Sequence, residues 1–141
     1  YSSALTTSSP KYARSGGTVA LHYYQAIEMI PYANGSFTFR SYTPGNKDMY
    51  GYLYKDSFNP FNVTKNLIIS NDDGGGNFQF LIKAYLQSNN KYILIVTTFG
   101  SNVITSYSVN ISGPGNNITV NLINVAILTT TTQSMLTIFV L

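Results

Sequence analysis

The chain has 141 residues and no cysteine, enough for one domain with a hydrophobic core and no disulfide to staple it. Charged residues make up 9% of it, against roughly a quarter in an average soluble domain, so surface polarity must come from Ser, Thr, Asn, Gly and Tyr, a profile of extracellular β-proteins and adhesins rather than cytosolic enzymes. The net charge of +3 is scattered without a basic run, which argues against a nucleic-acid partner, and no apolar run reaches the roughly eighteen residues that span a bilayer.

Residues 1–16 are rich in Ser, Thr and Gly and are expected to form an extended arm, flexible unless something pairs with it. A start at Tyr1, without Met or a hydrophobic leader, fits a secreted chain whose signal peptide has been removed. Tyr23 to Ile30 fits helix or strand, and Pro31 and its β-rich surroundings favour strand. Gly35 to Arg40 alternates with Phe37 and Phe39 on one side, and Pro44–Gly45 makes a turn. From Met49 to Tyr54 the period-two pattern puts Tyr50, Tyr52 and Tyr54 on one strand face. Lys55 to Lys65 is a loop.

Further strands are expected at Asn66 to Ser70, Asn77 to Leu86, Lys91 to Thr98 and Thr105 to Ser112. The Asn71 to Gly76 turn is acidic and Gly-rich, and consecutive glycines resist both helix and strand. After Gly113-Pro114-Gly115, Ile118, Val120 and Leu122 alternate on one face and Ile123, Val125 and Ile127 on the other, which a bulge near Leu122 would explain. The run Thr129 to Thr132 leads into Met135, Leu136, Ile138, Phe139, Val140 and Leu141, an uncharged segment of high β-propensity that a natural chain does not leave exposed. Short strands at regular spacing, with no helical period, predict an all-β fold: an antiparallel β-sandwich of jelly-roll type with about eight or nine strands.

Four stretches together carry a resemblance: Asp48-Met-Tyr-Gly-Tyr-Leu-Tyr, Ser70-Asn-Asp-Asp-Gly-Gly-Gly, Lys91-Tyr-Ile-Leu-Ile-Val-Thr-Thr and Tyr107-Ser-Val-Asn-Ile-Ser-Gly-Pro. In order and spacing, residues 17–116 resemble the bacterial pre-peptidase C-terminal domain and its secreted eukaryotic relatives. The resemblance implies an extracellular, non-catalytic β-sandwich that binds matrix, polysaccharide or cell surface, with calcium bound in some members. Small domains of this kind also resemble subunits of extracellular glycoprotein filaments. The chain departs from the pattern in having no attached enzyme domain and in its extension at 117–141.

The reactive-residue census disfavours an enzyme. His22 is the single histidine, beside Tyr23 and Tyr24 with no motif around any serine, so a hydrolytic triad has little to draw on. The adjacent Asp72 and Asp73 cannot be assumed to flank a glycosidic bond, and metal catalysis lacks histidine ligands. No cofactor is required. Calcium is the plausible ion, with Asn71, Asp72, Asp73 and Asn77 offering oxygen ligands on a glycine loop; the competing reading is that these side chains stabilise the turn.

Asn34, Asn62, Asn110 and Asn117 head glycosylation sequons, and covalent glycans are expected on a secreted chain. With 15 Asn and 30 Ser or Thr in 141 residues, chance alone gives about three sequons, so four is no enrichment. Asn110 falls inside a strand and needs an outward face. Tyr50, Tyr52 and Tyr54 offer an aromatic surface for sugars or neighbouring subunits, unless that face is the core side.

The apolar C-terminal segment fits a strand donated to an identical subunit, with the arm around Ala4 and Leu5 as a second donor; the alternative is that the tail completes its own sandwich. The expected protein is therefore a secreted structural subunit that self-assembles by terminal strand exchange into a glycosylated filament. The alternative is a carbohydrate- or matrix-binding adhesion module, with or without calcium. Identical subunits and glycans are the expected partners; nucleic acid and membrane insertion are not.

Overall fold

The computed structural model describes residues 1–14 and 20–123, and these form two packed antiparallel sheets. The strands are β1 (Ser2–Leu5), β2 (Lys11–Ala13), β3 (Leu21–Pro31), β4 (Gly35–Tyr42), β5 (Met49–Lys55), β6 (Leu67–Asn71), β7 (Leu81–Leu86), β8 (Tyr92–Thr98), β9 (Thr105–Ser112) and β10 (Ile118–Ile123). One sheet has the order β1-β9-β4-β7; the other runs β10-β3-β8-β5-β6, with β2 also paired to β3. From β3 onward successive strands alternate between the sheets except at the β5–β6 neighbours, which is the crossing pattern of a jelly roll.

Strand periodicity accounts for the main core. Ile27 and Met29 of β3, Phe37 and Phe39 of β4, Met49 and Leu53 of β5 and Ile82 of β7 point between the sheets, where all are buried. Gly51 of β5 is required there, because a Cβ would stand 2.8 Å from the Phe80 ring packed against it. Strand β8 reads Tyr-Ile-Leu-Ile-Val-Thr-Thr and is buried at every residue, so both of its faces are covered.

The second cover is a layer outside the sandwich. Tyr12, Tyr24, Tyr54, Phe58, Ile93 and Ile95 form a separate buried cluster on the outer face of the larger sheet, beneath β2 and the loop after β5. The rings of Tyr12 and Phe58 both stand edge-on to Tyr24, at 4.9 and 5.4 Å between centroids. The expected aromatic surface is therefore corrected. Tyr50, Tyr52 and Tyr54 do share a face, and it points away from the main core, yet Tyr52 and Tyr54 are buried and only Tyr50 is partly exposed. Tyr54 donates its hydroxyl to the Val63 carbonyl at 2.7 Å, which fixes the loop over it.

The arm is woven into both sheets: β1 pairs β9, β2 pairs β3, and Leu5 and Tyr12 are 1% and 3% exposed. Gln25 clamps it, donating to the Ala4 carbonyl at 2.9 Å and accepting from the Tyr107 hydroxyl. The strand expected from Asn77 begins only at Leu81, because Asn77 and Phe78 have φ of 54° and 61° in the left-handed region. No bulge interrupts β10 near Leu122: Ile118 to Ile123 pair with Pro31 to Ala26 in unbroken register, and Leu122 lies on the face of Val120 where the core has run out. Residues 117–123 thus join the sandwich at Asn117, whose carbonyl accepts from the Tyr32 amide, rather than starting a separate extension. The rest of the expected extension, including Met135 to Leu141, lies outside the described residues.

Candidate functional site at the acidic loop end

Antiparallel pairing of β5 with β6 sets Gly51 opposite Asn71, so the residue before β5 and the residues after β6 arrive at the same end of the sheet. Asp48, Asp72 and Asp73 meet there, with one carboxylate oxygen of each within 4.8 Å of the others. One Oδ1 of Asp48 and one of Asp72 are shielded from solvent and make no hydrogen bond among the described residues. Burial, and then the Asp73 charge, hold the Asp48 carboxyl above the usual carboxylate range. Burial does the same to Asp72, followed by Asp73 and Asp48. Arg14 opposes both shifts.

The surroundings combine cation and aromatic groups. Arg14 donates to the Thr98 carbonyl at 2.8 Å, with its guanidinium 4.7 Å from the Tyr50 ring centroid and 5.0 Å from that of Phe99. Tyr50 is itself stacked on Tyr52 at 4.7 Å. The Phe99 amide donates to the Asp48 carbonyl, and the Met49 amide donates to the Phe78 carbonyl. Consecutive residues of a strand point their backbone groups to opposite sides, so Phe78 and Phe99 flank the start of β5, about two strand spacings or 10 Å apart at the backbone. They are 55% and 51% exposed.

Phe78 is held out by strained backbone, since a left-handed φ is disfavoured for a bulky residue. Gln79 supports that conformation from beneath: its buried side chain donates to Thr43 Oγ1, the Lys47 carbonyl and the Asn77 carbonyl, and accepts from Ser41 Oγ. Gly75 is needed in the same turn because a Cβ would fall 2.9 Å from the Gln79 carbonyl.

The calcium ligand set expected from the sequence is only partly assembled. Asp72 and Asp73 are in the cluster. Asn71 is instead part of the turn, its Oδ1 accepting from Gly74 at 2.9 Å and from Leu81 at 2.8 Å. Asp48 takes the third place, and its role is invisible in a one-dimensional reading because it lies 24 positions before Asp72. Its chemistry suits a hard cation: carboxylate oxygens, two of them without a partner, on a loop with glycines. His22 sits nearby, buried, with Nδ1 3.0 Å from the Gly100 carbonyl; burial and then Arg14 lower its pKa and favour the neutral ring, while the backbone contacts to Gly100 and Thr98 act the other way, and neither an acid nor a serine is its partner among the described residues.

All four sequon asparagines are exposed, Asn110 included, because it falls on the outward side of β9 opposite Arg40. Asn34, Asn62 and Asn117 belong to the connections at the end of the sandwich opposite Asp48: the β3–β4 turn, the loop after β5 and the entry to β10. The acidic end carries no sequon.

No family model matches the chain, and no curated protein matches it. Among solved structures, a family 35 carbohydrate binding module from an environmental isolate aligns with a TM-score of 0.42 and 11% identity, covering 84% of this chain and 96% of that one.

Proposed function

We propose that the protein is a non-catalytic extracellular binding module whose acidic loop end takes a glycan with the help of a bound calcium ion. The observation that carries this reading is the Asp48–Asp72–Asp73 cluster, with two solvent-shielded carboxylate oxygens left without partners among the described residues, at the end of the sheet where Phe78 and Phe99 expose their rings. A cation neutralises carboxylates that otherwise repel one another, and it offers open coordination positions to sugar hydroxyls. Aromatic faces beside it suit the apolar face of a sugar ring. The sequons at Asn34, Asn62 and Asn117 support the same orientation, since glycans attached there would leave the acidic end clear. Secretion and relationship to the pre-peptidase C-terminal domains belong to this proposal.

The test is a glycan array probed with the whole chain in calcium and again in chelator, with Asp72→Asn as the control. Retention that needs calcium and is lost in Asp72→Asn supports the reading; equal retention in chelator, or none on any glycan, sinks it. Calcium alone at about a hundred times its Kd should add about 2.7 kcal/mol to stability.

A second reading, self-assembly into filaments by strand exchange, is favoured by one observation. The arm gives a strand to each sheet, β1 to one and β2 to the other. A donor of that kind seats in a neighbouring copy as well as in its own, and such heterologous contacts propagate. Negative-stain microscopy over a concentration series tests it: polymers that disappear when residues 129–141 are deleted assign the donor role to the tail, polymers that survive assign it to the arm, and monomers throughout reject assembly.

A further inference from the structure

One of the four sequon asparagines has an aromatic residue two positions before it. The stretch reads Tyr32-Ala-Asn34-Gly-Ser36, whereas Asn62, Asn110 and Asn117 follow Pro60, Ser108 and Gly115 at the same offset. Residues 32–34 make the short connection from β3 to β4. Cα atoms two positions apart lie within about 7 Å of each other, which puts a sugar joined to Asn34 Nδ2 within reach of the Tyr32 ring.

Both side chains are held in place. The Ser88 amide donates to Asn34 Oδ1 at 2.7 Å, and because a backbone N–H only donates, this bond turns Nδ2, the atom that carries an N-linked sugar, the other way. The Asn89 amide donates to the Pro31 carbonyl, which ties the β7–β8 turn to the same connection. Tyr32 is anchored at its two ends: its amide donates to the Asn117 carbonyl at 3.0 Å, and its hydroxyl lies 2.7 Å from Thr119 Oγ1. Between those anchors the residue is 61% exposed. A side chain fixed in this way loses little rotamer freedom when a second group stacks on it. Asn117 is the rival carrier, since it faces Tyr32 across the strands one step beyond the Ile118–Pro31 pair. The bond that orients the Asn34 amide favours Asn34.

We propose that Asn34 carries an N-linked glycan whose first pyranose ring stacks on Tyr32, so that the sugar caps the β3–β4 connection and the entry to β10. The C–H face of a pyranose is apolar and suits an aromatic face. The hydroxyl of Tyr32 serves to hold the ring against β10, and the ring itself carries the sugar. With the proposed function this inference shares the premise of secretion alone, and it holds whether or not the acidic end binds anything.

The full chain is produced twice, through a glycosylating secretory host and in a bacterial cytoplasm that adds no glycan. Peptide mass spectrometry records occupancy at Asn34, and thermal melts compare the two forms of each variant. Tyr32→Ala should lower Tm by about 3 °C more in the glycosylated protein than in the bare one, the size of one aromatic stacking contact in a chain of this length. Loss of the Thr119 bond is common to both forms and cancels in the comparison. Tyr32→Phe keeps the ring and should show no such excess. Ser36→Ala abolishes the Asn34 sequon while keeping the Asn34–Ser88 bond, and in that background the excess should vanish; in Asn117→Gln it should remain. Should Tyr32→Ala fail to fold, Tyr32→Leu removes the ring while keeping an apolar side chain. Secreted protein with Asn34 unmodified overturns the proposal, as does an equal loss of Tm in both forms. An excess that survives Ser36→Ala and disappears in Asn117→Gln overturns it too, by giving the ring to the other glycan.

Discussion

Tyr12 offers a quantitative test of whether the N-terminal arm is a structural part of the sandwich. Its ring is 3% exposed and packs edge-on to Tyr24 and Phe58, while its hydroxyl is buried without a hydrogen-bond partner among the described residues. Truncation to Ala removes an aromatic group burying about 150–200 Å², which at about 25 cal/mol/Å² is worth about 4 kcal/mol. That falls within the about 3–5 kcal/mol range found for large-to-small aromatic changes. At about 2.1 cal/mol/K per residue the unfolding entropy of the chain is about 0.3 kcal/mol/K, so Tyr12→Ala should lower Tm by about 13 °C. Tyr12→Phe keeps the packing and removes an unsatisfied polar atom, and should raise Tm by about 3 °C for a gain of about 1 kcal/mol. Differential scanning calorimetry on both variants is the assay. A Tyr12→Ala protein melting within about 2 °C of the parent, far below the expected shift, would refute the seating of β2. A Tyr12→Phe protein that is less stable would mean that the hydroxyl is satisfied.

Gly51→Ala drives a methyl to 2.8 Å from the Phe80 ring and should cost about 1–3 kcal/mol in chemical denaturation; an unchanged midpoint would show that the ring moves aside freely. Gln79→Met keeps the volume and deletes four hydrogen bonds under the Asn77–Phe78 turn, for an expected loss of about 2–4 kcal/mol by the same measurement. The raised Asp48 and Asp72 values mean that the folded state keeps these protons to higher pH than the unfolded chain does. The stability this confers is complete below the ordinary carboxylate pKa and is lost as pH rises through the raised values, so Tm in chelator should fall from mildly acidic to neutral pH. Asp72→Asn should flatten that fall, and a parent protein whose Tm climbs instead over that interval contradicts the repulsion argument.

Much of the architecture is legible locally. Alternation at Gly35 to Arg40, Met49 to Tyr54 and Thr105 to Ser112 places those strands nearly to the residue, because side-chain direction in a strand follows from sequence parity alone. The Asp-Asp-Gly-Gly-Gly turn and the outward aim of Asn110 follow from the same rules. Parity assigns a face to Tyr50, Tyr52 and Tyr54 but not what covers it. Tyr12, some forty residues earlier, is brought over that face by the pairing of β2 with β3, and the loop at Phe58 closes the rest. Asn77 and Phe78 defeat the alternation for a related reason: the Gln79 network stabilises a left-handed turn where local propensity favours a strand.

What the amino-acid sequence by itself determined is an all-β chain with its strands, turns and absence of disulfides, since these depend on each residue and its near neighbours. Tertiary structure alone decided that the arm belongs to both sheets, that Asp48 rather than Asn71 joins Asp72 and Asp73, and that β2 and β10 divide one edge of β3 between them. Each of these is a contact between residues far apart in the chain. Such contacts arise from which strand edges meet and which surfaces remain to be buried, and no local pattern encodes them.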